Sequence, residues 1–154
     1  MVITLRGGET SIKSSYTSSN YIYLGDPTVL PLNKDAANVN WGGKWRMPTK
    51  AECQELLDNC LWSWEEKNGV EGYCVTSKAN NKSIFLPAVD ANVVGYDYRK
   101  GGYYWSSSLY PYVHYPSYNK FTDEANFLLI QSDYRNVSSR RRYWGLSVRP
   151  VMSK

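Results

Sequence analysis

The chain has 154 residues, a formal net charge of +4 and 42% hydrophobic residues, which is the size and composition of a single folded domain. It contains no apolar run near the roughly 18 residues of a membrane-spanning helix, and its first ten residues do not resemble a signal peptide. The run Arg140-Arg141-Arg142 supplies most of the net charge, and without it the chain is nearly neutral. We therefore expect neither membrane insertion nor a nucleic-acid partner.

The predicted helices come early. A short helix is predicted over Asp35 to Asn40, ended by Gly42-Gly43. A longer one begins at Thr49-Lys50-Ala51-Glu52, a capping box in which the Thr49 and Glu52 side chains satisfy backbone N–H groups at the helix start. The apolar residues behind it, at i, i+3, i+4, i+7 and i+11, predict a helix that buries one stripe and continues to Gly69. That stripe consists of Cys53, Leu56, Leu57, Cys60 and Trp64.

The rest of the chain is typical of short strands joined by polar segments. Strands outnumber helices and follow them, which predicts an α+β fold with mostly antiparallel sheet in one domain over residues 1–154, with no role assigned to residues 1–40. In the last predicted strand, Trp144, Leu146 and Val148 alternate with smaller or polar residues, as in a strand with one buried face. The predicted strands are Val2 to Leu5, Tyr21 to Leu24, Gly72 to Ser77, Ser83 to Leu86, Tyr103 to Ser107, Ala125 to Ile130 and Trp144 to Val151.

The cysteines and carboxylates match no known metal-site pattern, and whether a calcium ion binds is left open. Cys53, Cys60 and Cys74 form no CxxC pair and have no histidine nearby, so buried thiols are expected instead of a disulfide framework or a zinc site. The carboxylates follow no EF-hand pattern. No cofactor is expected.

Two stretches near the C-terminus, Ser106 to Asn119 and Ser132 to Tyr143, contain no Lys, Glu, Gln, Met or Trp. These five types make up 28 of the 154 residues. The probability that both stretches lack all five by chance is on the order of one in a hundred or less. A codon whose third base is a pyrimidine encodes none of the five. The stretches are rich in Tyr, Ser, Asn and Arg, as adaptable binding surfaces are. They indicate targeted codon randomisation, and the alternative is chance composition in two Tyr-rich loops.

The surroundings of the two stretches predict loops on a rigid scaffold. The first follows the predicted strand GGYYWSS, and the second lies between the apolar segments ANFLLI and YWGLSVRPV. Loops held by strands are where binding residues are most often found. Sequence variation is therefore expected where folding tolerates it.

Six motifs carry a family resemblance: WGGKWRMPT at 41–49, AECQELLDNCLWSWEE at 51–66, GVEGYCVTS at 69–77, IFLPA at 84–88, GGYYWSSS at 101–108 and GLSVRPV at 145–151. In content and order they closely resemble the Fibrobacter major paralogous domain family. The resemblance implies a C-type-lectin-like fold of the formylglycine-generating-enzyme subclass. It also implies a variable protein of a diversity-generating retroelement, displayed on a phage tail or a bacterial cell surface, that binds a protein or glycan receptor. The oligomeric state is left open.

The resemblance places the ligand-binding region at residues 101–151. Trp105-Ser106-Ser107 and the segment from Gly145 to Val151 would form its frame, and the exposed positions between them would be the variable ones. The candidate ligand-binding residues are Tyr110, Tyr112, His114, Tyr115, Ser117, Tyr118, Asp133, Tyr134, Arg135, Asn136, Ser138, Arg140, Arg141, Arg142 and Tyr143.

Several of these residues have a second interpretation. Trp105 and Trp144 belong to alternating strands and are expected in the core. His114 is the single histidine, and no Ser or Cys nucleophile can be assigned to it by spacing, so general-base catalysis is not expected. The run Arg140 to Arg142 suits either anionic groups of a ligand or a solvated charged surface.

An enzyme and a binding module of fixed specificity are the alternatives to variable receptor binding. The resemblance implies a fold that is shared with formylglycine-generating enzymes. Those enzymes need a thiol pair in the C-terminal part of the site, and this chain has no cysteine after Cys74. An enzyme is therefore not expected. A cell-adhesion or carbohydrate-binding module with fixed specificity is the alternative, because aromatic platforms serve both roles.

Overall fold

The structure is a computed structural model that describes residues 29–89, 100–110, 124–142 and 144–153. The strands predicted at Val2 to Leu5 and Tyr21 to Leu24 lie outside these ranges. Within them the chain is α+β with mostly antiparallel strands and with its helices in the N-terminal half, as predicted. After a 3-10 turn at Leu32–Lys34, the elements are α1 (Ala36–Trp41), β1 (Trp45–Arg46), α2 (Lys50–Asn59), β2 (Cys60–Lys67), β3 (Val70–Ser77), β4 (Ser83–Pro87), β5 (Gly102–Tyr110), β6 (Glu124–Gln131), β7 (Tyr134–Arg141) and β8 (Val151–Met152).

Helix α1 confirms the first predicted helix. The buried Asp35 caps it by accepting hydrogen bonds from the backbone N–H groups of Ala37 and Asn38. The same carboxylate accepts from the N–H of Met47 at 2.9 Å, so it also connects the start of the helix to the residue directly after β1. Gly42 and Gly43 end the helix with φ of 65° and 56°, a region that glycine adopts without steric cost.

Helix α2 begins with the predicted capping box but ends ten residues earlier than predicted. Thr49 accepts from the N–H of Glu52, and Glu52 accepts from the N–H of Thr49. The helix ends at Asn59, and Cys60 is already extended. The prediction of a helix through Trp64 to Gly69 is therefore wrong.

Strand β2 replaces the second half of that predicted helix because it pairs with β3. The two strands are joined by Asn68-Gly69, where φ is 53° and 77°. Two such residues are the preferred sequence for a tight hairpin turn. Half-buried Trp62 and Trp64 alternate with exposed residues along β2, which is the period of a strand.

The strands form two three-stranded antiparallel sheets, ordered β2-β3-β4 and β5-β6-β7, and a two-stranded sheet of β1 and β8. Side chains of the two larger sheets pack together in one core, to which α2 contributes Cys53, Leu56 and Leu57. The buried members of this core are Cys53, Tyr73, Val75, Leu86, Tyr104, Leu128 and Ile130.

Strand β5 is buried on both faces. Tyr104 belongs to the core between the sheets, and its hydroxyl donates a hydrogen bond to the carbonyl of Pro87. Tyr103 faces the opposite way, into a second cluster with Phe127 and Leu146. Both tyrosines are therefore structural, since they line opposite faces of the same strand.

The strand predicted over Trp144 to Val151 is mostly irregular. Ser147 forms a single parallel bridge with Tyr104, and regular pairing returns only in β8. Pro150, which has no N–H to donate, directly precedes β8. Leu146 is nonetheless buried, so the predicted alternation identified the inward residue although most of the segment is not a strand.

The second compositionally biased stretch is mostly strand and not loop. After the turn at Ser132 and Asp133, residues 134–141 pair with β6 without a break in register. The prediction of a connecting loop there is wrong, because polar side chains are compatible with a strand whose backbone pairs with an apolar neighbour. Among the described residues, no helix is long and apolar enough to cross a membrane.

Candidate ligand-binding surface

The regular register of β6 and β7 divides the side chains of β7 between two faces of the sheet. Phe127 pairs with Ser138 and Leu128 with Val137, and directly paired residues lie on the same face. Val137 packs against the core between the sheets. The even-numbered residues therefore lie on the other face, in a row that we name the polar row: Tyr134, Asn136, Ser138 and Arg140.

The polar row is accessible and internally hydrogen-bonded. Tyr134 is 48% exposed, Asn136 and Arg140 are exposed, and Ser138 is half-buried. The Asn136 amide donates to the Tyr134 hydroxyl at 2.9 Å and accepts from the Val137 N–H at 2.8 Å. These bonds orient the two side chains before any ligand is present, which lowers the entropic cost of binding.

An apolar layer lies beside the polar row on the same face of the sheet. Phe127 and Leu129 are the cross-strand partners of Ser138 and Asn136. Trp105 and Trp144 are half-buried against the same cluster, so the expectation that both belong to the core holds in part. The polar row therefore lies directly beside a packed apolar cluster on the same sheet face.

Arg140 is the member of the row with the most defined surroundings. Its guanidinium carbon lies 5.2 Å from the centre of the Trp144 ring, within the range of a cation–π contact. Its Nη1 donates to the carbonyl oxygen of Ser139 at 3.1 Å. The guanidinium is thus held over an indole at the edge of the apolar layer.

Arg135, another candidate residue, lies on the face opposite the polar row and contacts the β2-β3-β4 sheet. Its guanidinium lies 4.9 Å from the Tyr73 ring centre and 5.4 Å from that of Trp62. Its Nη1 donates to the Tyr73 hydroxyl at 2.8 Å, and that hydroxyl lies within hydrogen-bonding distance of the carbonyls of Gln131 and Ser132. We call this group the Arg135 latch. It joins the tip of the β6–β7 hairpin to β3.

Sequence reasoning did not identify Trp62 and Tyr73 as partners of the variable stretch. Tyr73 is 2% exposed and contacts Trp62 and Trp64 edge-on, with ring centres 5.4 and 4.9 Å away. The Asn68-Gly69 hairpin signal was the clue that these aromatic residues belong to paired strands. Their contact with Arg135 depends on how the two sheets pack, which local sequence does not encode.

The remaining described candidates lie around the two faces. Tyr110 is 40% exposed and is paired with Glu124, which is paired with Arg141, so all three share the face opposite the polar row. Asp133 lies in the hairpin turn and Arg142 in the turn after β7. Tyr112, His114, Tyr115, Ser117, Tyr118 and Tyr143 lie outside the described residues.

The predicted frame residues Ser106 and Ser107 are buried at an irregularity of β5. The β5–β6 register shifts between Trp105 and Leu109, and Asn126 of β6 donates to the carbonyls of Ser108 and Leu109 there. Ser106 Oγ donates to the Asn126 carbonyl at 2.8 Å. The first biased stretch therefore begins with structural serines.

Comparisons with known proteins add no relative. No family model matches the chain, and neither the curated proteins nor the solved structures gave a significant match. In the described ranges, no three His, Cys, Asp or Glu side chains are grouped so as to hold a metal ion.

Proposed function

We propose that the chain is a non-enzymatic ligand- or receptor-binding protein whose variable surface includes the polar row. In this proposal it has the C-type-lectin-like fold of the Fibrobacter major paralogous domain family and is a variable protein of a diversity-generating retroelement. Its place of action is the surface of a phage tail or of a bacterial cell.

The observation that carries the proposal is the alternation along β7. The polar row consists of Tyr, Asn, Ser and Arg, is exposed at Tyr134, Asn136 and Arg140, and belongs to a stretch that lacks five residue types. Such side chains combine rigid contact area with adaptable hydrogen bonding. Variation in the row would change the ligand while β6 and β7 keep their backbone pairing.

The polar row favours this function over a carbohydrate-binding module with fixed specificity. Sugar rings stack on open aromatic faces, and the Arg140 guanidinium lies over the Trp144 ring. Tyr134 is the exposed aromatic residue of the row, and it is hydrogen-bonded to Asn136. An array of this kind is typical of a protein-binding surface.

The first test is the DNA around the gene. A retroelement origin predicts a reverse-transcriptase gene nearby and a near-copy of the segment that encodes residues 106–143. The two copies should differ almost only where the near-copy has adenine. Differences spread evenly over all bases, or a locus with neither feature, would contradict diversification.

The second test is a binding selection with two matched libraries. One varies Tyr134, Asn136 and Ser138, and the control varies Arg135, Val137 and Ser139 with the same pyrimidine-ended codons. Selected against a purified protein such as hen lysozyme, the first library should yield folded binders and the control should be depleted of folded members. Equal yields from both libraries would show that the alternation has no functional meaning.

A further inference from the structure

The strongest unassigned feature of the surface is the cation held over Trp144. The Arg140 guanidinium has the indole on one side and the Ser139 carbonyl as a hydrogen-bond acceptor. Trp144 in turn packs against the cluster of Tyr103, Phe127 and Leu146. A guanidinium fixed in this way loses little entropy when it binds a planar anion through two parallel hydrogen bonds.

Arg140 forms no salt bridge with any residue that the structure describes. The ion pairs there join Arg46 to Glu52 and Lys100 to Glu71. Glu124, the carboxylate on the neighbouring strand, lies on the opposite face and accepts from Ser139 Oγ at 2.6 Å. The cross-strand partner of Arg140 itself is Ala125. The charge of Arg140 is thus available to a ligand that approaches the polar row.

The arrangement favours a single carboxylate over a polyanion. Alternation places Arg140 on the polar-row face and Arg135 and Arg141 on the other face, so the row presents one of the three arginines of β7. A nucleic-acid backbone is held by several cations in series. One planar fork at the end of a row of polar side chains instead matches one Asp or Glu side chain.

We infer that Arg140 over Trp144 is a subsite that recognises a carboxylate side chain of an acidic protein partner. The inference rests on the proposed function, because it names the chemical group that the same surface would select. Arg140 supplies the paired donors, and Trp144 sets the plane of the guanidinium.

The test is a titration of the full-length, ¹⁵N-labelled chain with two octapeptides, blocked at both ends. One alternates Gly and Glu, and the other alternates Gly and Gln. The Glu peptide should cause saturable shifts of the Arg140 Nε–H and Trp144 indole N–H signals, and the Gln peptide should cause none. Equal shifts with both peptides would overturn the inference.

Variants at neighbouring arginines separate the subsite from general charge. Arg140→Gln should lower the affinity for the Glu peptide by about tenfold or more. Arg140→Lys keeps the charge but not the planar guanidinium, and it should lower the affinity by several-fold. Arg141→Gln removes the same charge from the opposite face and should change binding by less than about twofold. Equal losses in the two Gln variants would contradict the inference, provided that all variants keep the native melting temperature.

A third ligand tests the carbohydrate alternative. Sialyllactose also carries a carboxylate, but on a sugar. Shifts of the Arg140 and Trp144 signals with sialyllactose, together with silence of the Glu peptide, would overturn the assignment to a protein partner. Binders selected from the polar-row library, together with silence of the Glu peptide, would remove this inference and leave the proposed function intact.

Discussion

The pair of Arg46 and Glu52 determines both the local structure at the start of α2 and the pKa of the Glu52 carboxyl group. Arg46 donates to both carboxylate oxygens of Glu52, at 2.7 and 2.6 Å. Together with the backbone and side chain of Thr49, this pairing lowers the pKa of Glu52 from 4.5 to about 2. The capping box of α2 is therefore also one half of an ion pair with β1.

This pairing makes part of the stability depend on pH. Because the pKa of Glu52 is lower in the folded state than its ordinary value of 4.5, its contribution is complete above about pH 4.5 and is lost as the pH falls towards 2. We expect Glu52→Gln to reduce the unfolding free energy near pH 7 by about 1 kcal/mol after solvent screening. Urea melts of both proteins from pH 7 to pH 2.5 would measure this difference, which should shrink with acidification. A difference that stays constant would contradict the assignment.

Cys53 is a second residue whose surroundings predict its chemistry. It is 1% exposed in the core, and burial raises its thiol pKa to about 12. The thiolate is the reactive form, so Cys53 should resist a disulfide reagent at pH 8 in the folded protein and react in denaturant. Half-buried Cys60 and Cys74 should react first. Mass spectrometry of the labelled peptides would identify the order, and early labelling of Cys53 would show that the core is not packed as described.

At the scale of elements, the Arg135 latch predicts how firmly the β6–β7 hairpin is held. Arg135→Met keeps an apolar stem but removes the hydrogen bond to Tyr73 and the cation–π contacts. Amide hydrogens near Gln131 and Tyr134 should then exchange about tenfold faster, because the hairpin tip opens locally more often.

Arg140→Met is the matched control for the latch, since it is the same substitution on the other face of the strand. It should leave exchange at the hairpin tip unchanged. Equal acceleration in the two variants would show that Arg135 does not connect the hairpin to β3.

Element boundaries also show which information local sequence contains. The capping box and the Gly42-Gly43 stop are local signals, so the start of α2 and the end of α1 were predictable from them. The apolar spacing of Cys60 and Trp64 fitted a helix, although both residues pack against the same core from β2. Core membership was thus predictable where element type was not, because strand pairing with β3 overrides local periodicity.

At the scale of the whole molecule, the α+β class followed from the order of the elements. The candidate surface was predictable only in part. Composition identified the stretch that contains β7. It could not predict that Arg135 lies on the opposite face from Tyr134 and Asn136, because the face of each residue depends on the register with β6. The contact of Arg140 with Trp144 likewise requires the packing of a segment that is largely irregular.

We expect the two rows of β7 to have different roles: the polar row is free to vary, whereas Arg135 and Val137 of the other row attach the strand to the core and to β3. The triple variant Tyr134→Ser, Asn136→Ser and Ser138→Asn should lose under about 2 kcal/mol of unfolding free energy, as surface changes do. Substituting Arg135 and Val137 with Ser should reduce it by about 3 kcal/mol or more, because a core contact and the latch are lost.

Denaturant unfolding of these two variants beside the parent chain is the most direct measurement of that claim. The account predicts a near-native midpoint for the polar-row variant and a clearly lower one for the Arg135 and Val137 variant. Equal destabilisation, or a larger loss in the polar-row variant, would contradict it.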